Sequence, residues 1–190
     1  MKKLFSILCV FALTMSLFAG CSNNNDDGDE GGVISSSSAP AKVYSLEEAF
    51  KAVTDAYGED YLPSMDLDET YLTETMGLDK ENIEEFKAQG PMISAHVDTF
   101  VAIKAKPDMA DAVSQELDNY RNDLYDNSMN YPMNMPKIAA SEVITHGDYV
   151  FFLMLGKIND DVDATESDLE KFYEEQTAIG RDALDKYFAE

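Results

Sequence analysis

Apolar residues recur every three or four positions in several stretches of the chain, which is the spacing of one face of an α-helix. The first stretch begins after Ser45, an N-cap with Glu48 three residues later, and stops at Gly58. Its apolar residues are Leu46, Phe50, Val53 and Tyr57. Shorter stretches at 68–76 and 79–89, each followed by a glycine, predict a second and a third helix.

Two longer helical patterns occupy the second half of the chain. One begins after Pro107 and is predicted to lie on a sheet. Its apolar stripe is Ala110, Val113, Leu117, Tyr120 and Leu124. The other is predicted to run to the end of the sequence. Its stripe is Leu169, Phe172, Gln176, Ile179, Ala183 and Phe188.

Three strands are predicted between and beside these helices. Residues 92–105 alternate between apolar and polar side chains, which is typical of a strand with one face in the core. A second strand is predicted at 137–145 and a third at 148–155, separated by a turn at His146 and Gly147. The short separation favours a hairpin.

The third strand is apolar throughout, which indicates that both of its faces are covered and that it lies between the other two. A β-α-β crossover leaves room for it, as in the split β-α-β unit of ferredoxin-like folds. The predicted fold class is therefore α+β. We expect a three-stranded, mainly antiparallel sheet without the last ferredoxin strand, packed with helices and preceded by the N-terminal helices.

The N-terminus has the pattern of a lipoprotein signal peptide. A basic start, an uncharged run over 4–18 and small residues before Cys21 predict a cleaved segment at 1–20. The apolar run is shorter than the ~20 residues that a membrane-spanning helix needs, so a permanent transmembrane anchor is the weaker alternative. Cys21 would carry the lipid anchor, with palmitate among its expected acyl chains.

The mature chain is predicted to be a tether followed by one domain. Residues 21–43 contain the lipidated cysteine and an acidic, Ser-rich stretch that is too polar to fold. Residues 44–190 would form a single globular α+β domain. Cys9 leaves with the signal peptide and Cys21 is acylated, so no thiol remains for a disulfide, a zinc site or a nucleophile.

The composition is strongly acidic, with 37 Asp and Glu against 14 Lys and Arg and a formal net charge of −23. Nucleic acids and anionic lipid surfaces bind through basic clusters, which argues against both as partners. The charge indicates solubility and repulsion from a negatively charged envelope. Recognition of cationic partners or of Ca²⁺ is the more specific alternative.

Four short strings resemble a bacterial lipoprotein family that carries domain of unknown function 4358. They are residues 57–63 (YGEDYLP), 92–98 (MISAHVD), 131–134 (YPMN) and 147–152 (GDYVFF). The resemblance spans roughly residues 46–156. It implies an anchored extracytoplasmic domain, and it brings no catalytic motif, so it transfers neither an activity nor a site.

Few residues suit catalysis. The two histidines are His96, predicted on the first strand, and His146 in a turn, and an ordinary solvated or packed imidazole is the default interpretation of both. No hydrolase, zinc-protease or nucleotide-binding signature occurs, so no catalytic residue is predicted.

A calcium site is a weaker hypothesis at 159–170. Its candidate ligands are Asn159, Asp161, Asp163 and Glu170, in an EF-hand-like register. Ala164 stands where the sharp turn of that loop needs glycine, and a strand is predicted before it. The alternative is an acidic linker in which Asp163 or Thr165 caps the last helix. No other cofactor is expected.

A Tyr- and Met-rich segment follows the long helix and is the candidate binding patch. Its residues are Tyr120, Tyr125, Met129, Tyr131, Met133 and Met135. Connections usually lie on the surface, where tyrosine and methionine favour contacts with a partner. Core packing is the alternative, and Cu(I) binding by thioethers is a third possibility that lacks a supporting Cys or His.

We therefore expect a non-enzymatic lipoprotein at the outer face of the bacterial cytoplasmic membrane, whose domain binds a protein, a peptide or a wall-derived ligand. The alternative is an envelope hydrolase or Ca²⁺-dependent enzyme that uses acidic residues.

Overall fold

The centre of the fold is an antiparallel sheet of five strands, seen in a computed structural model that describes residues 43–93, 95–126 and 129–189. The strands are β1 (Met65–Asp66), β2 (Ile83–Gly90), β3 (Thr99–Ala105), β4 (Glu142–His146) and β5 (Tyr149–Met154), in the order β1-β2-β3-β5-β4. The predicted signal peptide and Cys21 lie outside the described residues, as does all of the tether except Val43.

In the part of the chain that the structure describes, four α-helices pack with the sheet. They are α1 (Leu46–Tyr57), α2 (Ala110–Asp126), α3 (Met135–Ala139) and α4 (Glu166–Ala189). A π-helical turn occupies Tyr71–Thr75, and 3₁₀ turns occupy Gly58–Asp60, Lys80–Asn82 and Pro132–Asn134. Within the described ranges, no helix combines the length and the apolar character that a membrane span requires.

Two of the interior strands, β3 and β5, have core on both sides. Val101 of β3 pairs with Phe152 of β5, and both side chains face α2 and the π-helical turn. Phe100 and Leu153, which also pair, face α1 and α4 on the other side. All four are fully buried. The prediction that the apolar third strand is central is therefore confirmed.

The predicted connections around this strand are also correct. β3 leads through α2 to β4, and β5 pairs with both β3 and β4, which is the split β-α-β unit. Gly147, with a φ of 58°, turns the chain from β4 into β5. The α+β class is confirmed. The predicted three-stranded sheet is too small, because β2 and β1 extend it beyond β3.

The helix predicted at 79–89 is wrong. Asp79 does cap the turn Lys80–Asn82, but the chain then continues as β2. Phe86 and Ala88 pack on the core beside α2, whereas Lys87 points to α1, which is the two-residue alternation of a strand. Pairing with the otherwise open edge of β3 outweighs the helix propensity of the Glu, Lys, Ala and Gln residues.

Three other boundaries differ from the prediction. The first strand begins at Thr99 rather than at 92, which leaves His96 in a loop. The long helix begins at Ala110, because the chain turns at Asp108 with a φ of 66°. The strand predicted at 137–145 is divided into α3, whose first turn accommodates Pro136, and β4.

Candidate functional site

An ion pair lies buried where β3 begins and β5 ends. Lys137 of α3 donates to Asp98 Oδ1 at 2.7 Å and to the carbonyl oxygen of Gly156 at 2.8 Å. The two charged side chains are only 4 % and 1 % exposed. The Lys137 Nζ also lies 5.5 Å from the centre of the Tyr173 ring on α4. This contact set joins the loop before β3, α3, the end of β5 and α4.

The electrostatics of the pair follow from its burial. Desolvation raises the pKa of the Asp98 carboxyl, and the nearby positive charge of Lys137 opposes that rise. A buried pair of this kind adds little net stability, but each charge requires the other. The pair therefore fixes the relative positions of the segments that contribute to it.

Two loops carry exposed apolar side chains next to this pair. Residues 91–93 and 95–97 precede Asp98, and residues 129–134 lead into α3 and Lys137. Asn134 Nδ2 donates to the carbonyl oxygen of Ala95 at 3.0 Å, which joins the loops. We define the two-loop surface as Met92, Ile93, Met129, Tyr131 and Met133, and each of these side chains is more than half exposed.

The loops are held by local hydrogen bonds as well. Asn130 Nδ2 donates to the carbonyl oxygen of Leu124 at 3.0 Å, close to the end of α2. The Asn134 amide donates to the carbonyl oxygen of Tyr131 at 2.8 Å and closes the 3₁₀ turn. The exposed methionines thus stand on a backbone that polar contacts hold in place.

The six residues of the predicted binding patch have different environments. Tyr125, Met129, Tyr131 and Met133 are exposed, and Tyr125 lines a small cavity of about 190 Å³ beside Ile138. Tyr120 instead lies in the core, with its ring 5.7 Å from that of Phe152. Burial, aided by Tyr71, raises the pKa of the Tyr120 hydroxyl. Met135 is half-buried against the same core.

The candidate calcium ligands belong to a loop with internal hydrogen bonds. Asn159 Oδ1 accepts from the Asp161 amide at 2.8 Å, and Asp161 Oδ1 accepts from the Asp163 amide at 3.0 Å. Glu170 lies on α4. In the part of the chain that the structure describes, no three His, Cys, Asp or Glu side chains are grouped so that they could hold a metal ion. Calcium binding stays a prediction.

The alternative role of this loop, capping the last helix, is visible at Thr165. The Asp168 amide donates to Thr165 Oγ1 at 3.3 Å, and Asp168 Oδ2 accepts from the Thr165 amide at 3.0 Å. The Thr165 hydroxyl bonds the same carboxylate and lowers the pKa of Asp168. Thr165 is therefore the N-cap of α4.

The two histidines lie in different parts of the fold, His96 in the loop before β3 and His146 at the end of β4. The His96 amide donates to the carbonyl oxygen of Ile93 at 3.0 Å. The His146 ring stacks on Phe188 with centroids 4.6 Å apart. Its Nε2 lies 3.2 Å from Asp185 Oδ1 without completing a hydrogen bond. This arrangement supports packing by His146.

The buried ion pair could not be found from the sequence. Asp98 and Lys137 lie 39 positions apart, and both were expected on strands. Gly156 carries a weak signal, since an isolated glycine after a strand often marks a tight approach. In the structure it has a φ of 116°, and a Cβ there would lie 2.5 Å from Gln176 Cβ.

Comparison with known proteins identifies one family. A family model described as "Domain of unknown function (DUF4358)" matches residues 56–155, just over half of the chain. The matched range contains the sheet from β1 to β5, both loops of the two-loop surface and the buried ion pair. No curated protein and no solved structure matches the chain. On the family match, this chain belongs to the family of the domain of unknown function DUF4358.

Proposed function

We propose that this protein is a membrane-anchored bacterial lipoprotein, held by lipid on Cys21 at the outer face of the cytoplasmic membrane. We further propose that its domain is an interaction module that binds a protein or peptide partner through the two-loop surface. The pattern of residues 1–21 supports the anchor, since a basic start, an apolar run and small residues precede the cysteine.

The observation that carries the binding proposal is the two-loop surface itself. Scattered exposed apolar residues are ordinary on soluble domains, but groups of them mark interaction sites. Here three methionines, an isoleucine and a tyrosine stand on loops that the Asn134–Ala95 hydrogen bond joins. Methionine is flexible and polarisable and adapts to varied apolar partners. Tyrosine adds an aromatic anchor with a polar tip.

The charge of the chain restricts the partner. A net charge of −23 disfavours acidic proteins and nucleic acids and favours a partner with basic groups around an apolar face. The buried pair of Asp98 and Lys137 also supports the proposal. It fixes the backbone where the two loops end, and a fixed loop loses less entropy on binding.

The binding proposal is tested by affinity purification of the mature, lipid-anchored protein from detergent-solubilised membranes, followed by quantification of each captured protein. We expect the double variant Tyr131→Ala, Met133→Ser to retain its partner at least about tenfold less well. The matched control is Met65→Ser with Val162→Ser, which removes two exposed apolar side chains elsewhere. Equal capture by the two-loop variant and the wild type would reject this surface.

The anchor is tested separately. Mass spectrometry of the membrane-extracted protein should find acyl chains on an N-terminal Cys21, and Cys21→Ser should release the protein from the membrane fraction. A free thiol at Cys21, or an uncleaved leader, would contradict the localisation without affecting the binding surface.

A further inference from the structure

An open groove lies on the α2 side of the sheet, between the π-helical turn and α2. It has a volume of about 640 Å³. Its apolar and aromatic walls come from Tyr71, Met76, Tyr120 and Leu124. Glu74 and Asp123 line it as well, and the groove residues described by the structure include no lysine or arginine. The lining of the groove therefore combines aromatic and apolar side chains with two carboxylates.

The π-helical turn shapes one wall of the groove. The Met76 amide donates to the carbonyl oxygen of Tyr71 at 3.1 Å, and the Leu78 amide donates to that of Leu72 at 3.0 Å. Gly77 ends the turn with a φ of 74°, a conformation that suits glycine. π-Helical turns are rare and occur often at functional sites, because they position side chains that a regular helix would place elsewhere. Here the turn places Tyr71 and Glu74 opposite α2.

We propose that this groove binds an organic ammonium ion, a positively charged amine attached to a short apolar body. The body would lie against Met76 and Leu124, and the ammonium group would face Glu74 and Asp123 beside the Tyr71 ring. Carboxylates attract the cation by charge, and an aromatic face adds a cation–π contribution. Anionic ligands are disfavoured by the same carboxylates, and the apolar walls offer a metal ion few oxygen ligands.

The charge of the whole chain supports this ligand class. A net charge of −23 concentrates cations near the surface, so that a weak local site is occupied at lower bulk concentration. The groove adds what a general negative field lacks, namely an apolar wall for the ligand body. Binding should therefore depend on the alkyl chain as well as on the charge. This inference does not depend on the two-loop surface.

The test is a calorimetric titration of the full-length protein in neutral detergent with butylammonium chloride, followed by amide chemical-shift mapping. Saturable binding is expected, with shifts concentrated at residues 71–77 and 120–124. Uncharged 1-butanol and the bare ammonium ion should each bind at least about fivefold more weakly, since each lacks one of the two interactions. Absence of saturable binding, or equal binding of bare ammonium, would overturn the proposal.

Matched variants separate the groove from the general charge. Glu74→Gln should weaken butylammonium binding by about five- to tenfold. Asp111→Asn removes one negative charge from the exposed first turn of the same helix as Asp123. At ~1.5 Å per residue it lies roughly 18 Å from Asp123, beyond the ~8 Å screening length at physiological salt, and should change binding less than about twofold. Equal weakening by both variants would overturn the site.

The aromatic wall has its own test. Tyr71→Phe keeps the ring and should leave binding within about twofold, whereas Tyr71→Leu should weaken it by about threefold or more. Tyr71 packs against the core, so either substitution could affect folding. Circular dichroism of both variants identifies any such loss. If Tyr71→Leu folds and binds as well as Tyr71→Phe does, the cation–π contribution is rejected.

Discussion

The two faces of the sheet use tyrosine in different ways. On the α1 and α4 face, tyrosine hydroxyls bond to backbone groups. Tyr57 donates to the carbonyl oxygen of Gln176 at 2.8 Å and accepts from the Gly180 amide at 3.2 Å. The Ser45 amide donates to the Tyr187 hydroxyl at 2.9 Å, which ties α1 to the end of α4.

On the other face, Tyr125 and Tyr131 are 52 % and 57 % exposed, and exposed methionines lie near Tyr131 in the sequence. Because tyrosines of both kinds occur in this domain, a tyrosine-rich composition does not by itself indicate a surface that binds a partner. A hydroxyl bonded to backbone between two helices stabilises the fold, whereas an exposed ring on a fixed loop is available to a partner. The tyrosine contacts described on the α1 and α4 face are therefore structural, as is the buried Tyr120 on the other face. The α2 and α3 side carries both proposed binding sites.

The largest expected effect is at the buried ion pair. Lys137→Met leaves the Asp98 carboxylate buried without its cation and should lower the free energy of unfolding by about 3–5 kcal/mol in urea denaturation. Adding Asp98→Leu should recover most of this loss. The control is Lys104→Met, which breaks the more exposed pair with Glu84 and should cost much less than Lys137→Met does. Similar losses from the two lysine variants would contradict a structural role for the buried pair.

The next effect tests the structural tyrosines. Tyr57→Phe removes the hydroxyl that bonds both Gln176 and Gly180, a carbonyl and an amide that would pair with each other in a regular α-helix. Because this helical pairing within α4 is open to both groups without the tyrosine hydroxyl, we expect a loss of only about 0.5–1.5 kcal/mol. Tyr125→Phe on the opposite face should have no measurable effect in the same denaturant titrations. A larger loss at Tyr125 would make it a structural residue too.

The helix cap predicts a pH dependence. Hydrogen bonds from Thr165 lower the pKa of Asp168 below its ordinary value of 3.8, so its contribution to stability is fully present above that pH. It should be lost as the pH falls through the lower pKa of the folded state. Asp168→Asn should therefore be less stable than the wild type at pH 7, and the difference should shrink in acid. A difference that grows on acidification would contradict this cap.

The smallest effect is expected at the two-loop surface. Met129→Ser and Met133→Ser should change the free energy of unfolding by less than about 0.5 kcal/mol, because neither side chain is buried. The same denaturation experiment on Phe152→Ala, a core residue, should show a loss of about 3–5 kcal/mol. A loss above about 1 kcal/mol at either methionine would mean that the loop packs on the domain.

Most of the fold could be predicted from the sequence, because local periodicity and burial agree for most elements. The Ser45 cap, the α2 stripe that ends at Leu124 and the apolar run of β5 each specify their structure with nearby residues. Prediction failed at β2, where the local residues favour a helix and the partner strand decides otherwise. The strand β1, only two residues long, offers no pattern at all.

The site could be predicted only in part. Exposure of Tyr131 and Met133 follows from their place in a connection, but Tyr120 lies on the inner face of α2, where the helical stripe already places it. The Asp98–Lys137 pair depends on contacts between segments that are distant in the sequence, so no local residue pattern predicts it. The groove beside Tyr71 depends on a π-helical turn, which differs from a regular helix by one hydrogen-bond register.

The hydrogen bonds of Tyr44 also bring the two ends of the described chain together. Its hydroxyl donates to the carbonyl oxygen of Phe188 at 2.8 Å, and its own carbonyl oxygen accepts from the Tyr149 hydroxyl at 2.7 Å. A short flexible linker should therefore close the domain into a ring. New ends opened between Asp160 and Asp161, both exposed, would then give a circular permutant with its sheet intact.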